Sequence, residues 1–252
     1  MTRTMSAMPP RRRPGPGVLL AGMTSLLLVI SGCTGEAAEE EEATPTPAER
    51  LAAAQQRIEQ AEAITIDLSS TGVPGGVNGV QSATGTGVID GDTVRFEGEF
   101  QGRVSGITAN AGILAIGEDA YMKLFTPDYE PVDLADLGAP NPTGFFAPDT
   151  GIASLLAATI DLTEGGGPVR QGREVLTEIH GTLPGDKVQA LLHLGSPDTT
   201  FDVTYGLTSD NELRKATMTG EFYEGTESVY TLLLTDYGKV VPIEAPTQAP
   251  TS

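Results

Sequence analysis

Few side chains in this sequence are of a kind that does chemistry, and their spacing decides what each can do. His180 stands in the strand-like Glu178-Ile179-His180-Gly181, and His193 follows the expected helix at Leu191-Leu192. Neither has a serine or an acid arranged beside it in the chain as an activated nucleophile requires, so both read as structural or surface histidines. Glu97 and Glu99 alternate with Phe96, Gly98 and Phe100, which puts both carboxylates on one solvent-facing side of a strand. A glycosidase needs two carboxyl groups flanking a bond, and nothing near this pair supports that use. Asp90-Gly91-Asp92 has the start of a calcium loop without the ligands expected further along; a turn accounts for it. Arg103, Lys123, Arg170 and Arg173 are the few cations placed to meet a phosphate, and no spacing singles them out. No Gly-x-Ser-x-Gly elbow, Walker loop, His-Glu-x-x-His or Rossmann fingerprint occurs. The sequence offers no catalytic residue, metal site or cofactor motif, which favours a binding protein over an enzyme.

The one residue with a specific chemical expectation is Cys33, the sole cysteine. Arg11-Arg12-Arg13 precedes the apolar stretch Val18–Ile30. As helix this stretch rises about 20 Å, short of a ~30 Å hydrocarbon core. A basic segment, a short apolar segment and small residues make a secretory signal. The small residues are Ile30-Ser31-Gly32-Cys33, which resembles a bacterial lipobox; the alternative is an ordinary signal peptide with an incidental cysteine. The lipobox implies a thioether-linked diacylglycerol on Cys33, loss of residues 1–32 and a third acyl chain on the new amino group. Two or three long chains at ~0.8 kcal/mol per buried CH₂ anchor a protein durably. The expected location is the outer face of the cytoplasmic membrane, in the cell envelope.

Charge narrows the partners. Lys and Arg number 15 against 34 Asp and Glu; without residues 1–32, which hold four Arg and no acid, 11 basic and 34 acidic groups remain, a net charge of −23. That balance argues against nucleic acid, which binds through basic patches, and against docking on anionic lipid by surface charge. Residues 34–47 hold five glutamates and two prolines with nothing large and apolar, so 33–47 reads as the acylated cysteine and a disordered tether spanning roughly 20 Å. Pro242, Pro246 and Pro250 mark 242–252 as a flexible tail. Residues 48–241 remain as one domain.

The elements follow from periodicity. Thr46-Pro47-Ala48-Glu49 is a capping box with proline at the first helical position, and Leu51, Ala54, Ile58 and Ala61 extend a helix over 48–62. Ile64, Ile66 and Leu68 then alternate with polar residues in a half-buried strand. Hairpins are expected around Asp90-Gly91, as a type I′ turn, and around Gly117-Glu118-Asp119. Alternating Phe201, Val203, Tyr205 and Leu207 lead through the turn at 209–212 into Leu213–Phe222 and Ser228–Thr235. Two further helices fall at Gly151–Ala158 and Gly185–Leu192. Twelve of the 46 residues from Gly72 to Gly117 are glycine, which suits a bent sheet or, alternatively, loops misread as strands. The pattern predicts an α+β domain with a strongly curved antiparallel sheet.

With the lipobox and the opening helix Arg50-Leu51-Ala52-Ala53-Ala54 leading into Ile64-Thr65-Ile66, the chain resembles the actinobacterial LppX/LprG/LprA/LprF lipoproteins. Phe146-Ala147-Pro148-Asp149-Thr150-Gly151-Ile152-Ala153-Ser154-Leu155-Leu156-Ala157 is similar to that family's Asp-Pro-x-x-Gly-Leu-Ala-x-Leu-Leu segment, with Asp-Pro inverted to Pro148-Asp149. Leu232-Leu233-Leu234-Thr235-Asp236-Tyr237-Gly238-Lys239 resembles its Ser-x-Trp-Gly, with tyrosine for tryptophan. The resemblance covers about 48–243. It implies a half-barrel with helices on its concave face and an apolar cavity between them for the acyl chains of lipids or glycolipids. It further implies a lipid carrier of the envelope working with a membrane lipid exporter. Ile64, Ile66, Leu68, Ile152, Leu155, Leu156, Phe201, Val203, Tyr205 and Leu207 are the candidates for the cavity wall; for each, plain core is an equal alternative. The competing reading is a structural or interaction lipoprotein with a closed core facing the cell wall.

Overall fold

The computed structural model describes residues 44–246 except Ser105 and Thr126. Helix α1 (Pro47–Glu59) begins with the expected capping box: Glu49 N–H donates to Thr46 Oγ1 at 3.3 Å, and Thr46 N–H donates to Glu49 Oε2 at 2.8 Å. The helix stops at Glu59, three residues before the expected end; past it Ala61 N–H donates to the Ile58 carbonyl at 3.2 Å, a tightened last turn, and the chain joins the sheet, where Ile89 N–H donates to the Glu62 carbonyl at 2.8 Å. Six strands follow: β1 (Ala63–Thr71), β2 (Gly79–Asp90), β3 (Thr93–Val104), β4 (Ile107–Ile116), β5 (Asp119–Lys123) and β6 (Glu130–Pro131). After them come a 3₁₀ turn at Pro142–Phe146 and α2 (Ile152–Ala158). The chain continues with β7 (Ile160–Glu164), β8 (Val169–Gln171), β9 (Glu174–Pro184), α3 (Gly185–Leu192), β10 (Thr200–Leu207), β11 (Leu213–Tyr223) and β12 (Thr226–Thr235).

All twelve strands belong to one antiparallel sheet ordered β6-β5-β4-β3-β2-β1-β12-β11-β10-β9-β7, with β8 also on β9. Two meanders meet where the first strand pairs the last, Ile66 opposite Leu234. The ends of the path, β6 and β7, are not paired with each other, so the sheet is open rather than a closed barrel. Residues 132–159 must therefore cross from one edge to the other, and they carry the 3₁₀ turn and α2 over the sheet. This crossing fills the concave side.

The main core lies there. Inward residues of the strands meet Leu51, Ala54 and Ile58 of α1, Ile152, Leu155 and Leu156 of α2, and Val188 and Leu191 of α3. Arg50 ties α1 to the β10–β11 turn through Nε–H to Asn211 Oδ1 (2.9 Å) and Nη2–H to the Thr208 carbonyl (3.1 Å).

Two expectations are corrected. The β2–β3 hairpin pairs Asp90 with Thr93, so its loop is Gly91-Asp92, and only Gly91 has positive φ (+59°). That is the type II′ pattern, with glycine first in the loop, rather than type I′. The chain also stays on the domain past residue 241. Ile243 is 4 % exposed and packs with Ala63, Val88 and Leu114 on the outer face, while Arg95 Nη1–H donates to its carbonyl at 3.2 Å. An isoleucine covering outward-facing apolar side chains outweighs the prolines around it.

Candidate functional site

The space between sheet and helices contains an inner void of about 30 Å³ and an apolar groove of about 200 Å³. The void is enclosed by Ile152, Leu155 and Leu156 of α2, Leu191 of α3, and Tyr205 and Met218 from β10 and β11. The groove runs over Ile66, Phe96, Phe100, Ile113 and Met122, and the polar part of its lining is Asn78, Thr84, Glu99 and Arg103. Leu68, Phe145, Leu192 and Tyr230 line both. They are the partition between the two spaces.

The strand period puts these side chains inward. In β1, Ile64, Ile66 and Leu68 alternate with Thr65, Asp67 and Ser69, of which Asp67 and Ser69 are exposed. Across the β1–β12 pair, Leu68 sits opposite Leu232, and both point to the concave side. Of the ten candidates, Leu68, Ile152, Leu155, Leu156 and Tyr205 border the void, while Ile66 and Leu68 border the groove. Ile64, Phe201, Val203 and Leu207 border neither and lie in closed core; Phe201 is stacked 4.5 Å from Phe222. Cys33 and the lipobox residues Ile30, Ser31 and Gly32 lie outside the described residues.

Phe145, Leu192, Met218 and Tyr230 were not among the candidates. Tyr230 could have been found, because Tyr230, Leu232 and Leu234 alternate with polar or half-buried neighbours as plainly as Ile64, Ile66 and Leu68 do. Phe145 had a weaker signal in Asn141-Pro142, an N-cap followed by proline at the first helical position.

Buried hydroxyls beside the inner void are hydrogen-bonded. Thr159 Oγ1–H donates to the Leu155 carbonyl at 2.7 Å and its oxygen lies 2.9 Å from Tyr205 Oη. Tyr223 and Tyr230 hydroxyls pair at 2.8 Å. Burial pushes the Tyr205 phenol up, against a smaller lowering by Thr159. Burial also raises Tyr230, reinforced by the hydrogen bond to Tyr223. Both phenols are neutral at physiological pH and supply no anionic nucleophile. The interior can exclude water from an apolar ligand.

Of the groups considered for chemistry, Glu99 and Arg103 border the groove, and the two histidines line neither the void nor the groove. His180 Nδ1 is 2.9 Å from Thr204 Oγ1 across the β9–β10 pair. His193 ends α3 in the left-handed region, with φ +55°. Glu97 and Glu99 are exposed, and Tyr129 O–H donates to Glu97 at 3.4 Å. Among the described residues no group of three His, Cys, Asp or Glu side chains is placed to hold a metal. A wider cleft of about 560 Å³ is bordered by Glu118, Asp119, Asp133 and His193. Three carboxylates border it against the groove's one, Glu99, and a hydrocarbon chain would desolvate them at a cost, so the smaller, more apolar groove is the better candidate.

Residues 46–243 match the model of one protein family, the LppX_LprAFG lipoproteins. The chain belongs to the LppX_LprAFG lipoprotein family. Its span ends on Ile243, where the last outer-face contact is made. No curated protein matches the sequence. Among solved structures the fold is similar to that of LprF from Mycobacterium bovis. The identity is 12 %, over 81 % of this chain and 99 % of that one, with a TM-score of 0.69. It is also similar to the Mycobacterium tuberculosis lipoprotein LppX, at 14 % identity over 79 % and 98 % of the two chains and a TM-score of 0.58. At such identities the likeness is one of fold. It matches the curved antiparallel sheet and the concave-side helices expected for an LppX_LprAFG member.

Proposed function

We propose that this protein is a lipoprotein anchored through acylated Cys33 that binds the acyl chains of envelope lipids or glycolipids and carries them across the cell envelope. It catalyses no reaction. Residues 1–32 are the signal, 33 to about 46 the anchor and tether, 47–243 the binding domain, and the remainder a tail. Cooperation with a membrane lipid exporter belongs to the same reading. The observation that carries the proposal is the apolar groove lying against a second apolar void between sheet and helices, in a family of lipoproteins. A core packed to ordinary density keeps few voids larger than a water, whereas a groove of about 200 Å³ is several times that size. Burial of hydrocarbon supplies the affinity, at about 0.8 kcal/mol per CH₂.

One observation favours a second reading. Ligand sites usually measure roughly 300–1,000 Å³, and neither space reaches that alone. A structural lipoprotein with a closed core would look the same. Native mass spectrometry separates the two, using the mature chain with Cys33→Ser made in an actinobacterial host. A discrete added mass that extracts into organic solvent as a di- or triacylated lipid is the expected result. A bare protein mass, with no uptake of a fluorescent acyl probe, would leave the structural reading standing.

A further inference from the structure

Three separate spaces border on one side chain. Phe145 lines the inner void, the apolar groove and a third pocket of about 200 Å³ that is bordered by Ile58, Ile89, Val94, Phe146 and Ala153. Void, groove and pocket measure about 30, 200 and 200 Å³, together about 430 Å³. Only the joined volume falls within the roughly 300–1,000 Å³ of ordinary ligand sites.

The backbone around Phe145 is fastened on both sides, while its ring packs only part-buried against the core. Asn141 Nδ2–H donates to the Gly117 carbonyl at 3.0 Å, and Thr143 Oγ1–H donates to the same carbonyl at 2.9 Å. On the other side Phe146 is 7 % exposed, sits over Gly87 and has its ring centroid 6.2 Å from that of Phe96. Phe145 between these anchors is half-buried and joins none of the ring pairs among the described residues. The preceding Gly144 has open space where a Cβ would stand. Rotating one ring is a small motion of a side chain, needing no change in the sheet.

Resting on the carrier reading above, we infer that Phe145 is the residue that sets which acyl chains enter: its ring divides the interior, and turning it aside joins three spaces into one lipid-sized cavity. The ligand class is a long hydrocarbon chain, because the walls that become continuous are mostly aliphatic and aromatic, with charged groups confined to Glu59 and Asp92 of the pocket and Glu99 and Arg103 of the groove. A site open only part of the time binds with an affinity reduced by that fraction. Removing the ring therefore tightens and quickens binding of long chains and leaves short ones little changed.

The test uses the mature chain with Cys33→Ser, delipidated, in three forms: unaltered, Phe145→Ala and Phe145→Trp. Saturated fatty acids from octanoate to stearate displace dansyl-undecanoate, and stopped-flow mixing gives the association rate. Phe145→Ala should extend the longest chain bound and raise the association rate for long chains on the order of tenfold, as expected for a minor open state. Phe145→Trp should shorten that limit and slow entry, which keeps the test decisive if the alanine form fails to fold. Equal chain-length limits and rates in the unaltered and tryptophan proteins would overturn the role of Phe145 and leave the carrier reading intact. No binding by any form, dansyl-undecanoate included, would overturn the carrier reading itself.

Discussion

Gly87 and Gly85 owe their places to aromatic rings. A Cβ built on Gly87 would collide with the ring of Phe146, and one on Gly85 with the ring of Phe96. The same relation recurs on β11, where Gly220 lies under Phe201. Glycine in a strand weakens it and often marks close approach of another group; here the group is a phenyl ring, from the 3₁₀ turn at Gly87 and from the neighbouring strand at Gly85 and Gly220. At these three strand positions the missing side chain is replaced by a ring. It follows that Gly87→Ala forces Phe146 off its seat and overpacks the inner layer. Such overpacking costs about 1–3 kcal/mol. Urea unfolding should show a lower midpoint with an unchanged slope; a midpoint equal to the parent's would mean that Phe146 shifts freely and is no anchor for the 3₁₀ turn.

The elements were legible where their period was long and their caps were plain. Helix α1, both later helices, the strands at Ile64, Phe201 and Leu213 and the two Gly-containing hairpins were all written in local pattern. The 3₁₀ turn at Pro142–Phe146 was not, because Gly138-Ala139-Pro140-Asn141-Pro142 reads as loop and its two phenylalanines find Gly87 and the groove only in three dimensions. Strand β9 was legible only at the strand-like Glu178-Ile179-His180-Gly181: its exposed Glu174 and Val175 and half-buried Thr177 and Glu178 blur the alternation, although Leu176, Ile179 and Leu183 are buried. Of the site, the α2 residues, Leu68 and the alternation that holds Tyr230 were readable, but the place of Phe145 in the partition depends on how the crossing segment settles on the sheet. Asn141 controls that settling. Its Oδ1 accepts from Thr143 N–H at 3.1 Å while Nδ2 donates to the Gly117 carbonyl, so one side chain caps the turn and fastens it to the β4–β5 hairpin. Asn141→Ala should cost about 1–3 kcal/mol through the partners left unpaired. Amide exchange should rise in 142–146 before it rises in β1 or β12; uniform exchange across both would show that the turn is not separately fastened.

At the scale of the whole molecule, the fold closes around its ends, with β1 paired to β12 and the segment after β12 laid back over the outer face at Ile243. The domain is thus secured from both sides of the sheet, and phenols lie on both. Burial raises Tyr205 and Tyr230 on the concave side. Tyr237, whose O–H donates to the Leu213 carbonyl at 2.8 Å, is raised by burial, lowered in part by Arg214 and raised again by Glu212. Tyr129 is raised to about 12, by burial first and then by the charge of Glu97. A group whose folded pKa exceeds its unfolded value holds its proton more tightly in the native state. Its contribution is complete below the unfolded value, near 10 for tyrosine, and is lost as pH climbs toward the folded one. Four such groups act in the same direction, so their share of stability should be flat from neutral pH to about 9 and fall steeply above 10. Thermal melts across that range, with tyrosinate absorbance followed in parallel, should show phenol ionisation coinciding with unfolding. Ionisation well before the loss of tertiary signal would mean that the interior admits hydroxide while folded, and that the walls around Tyr205 and Tyr230 are wetter than their packing implies.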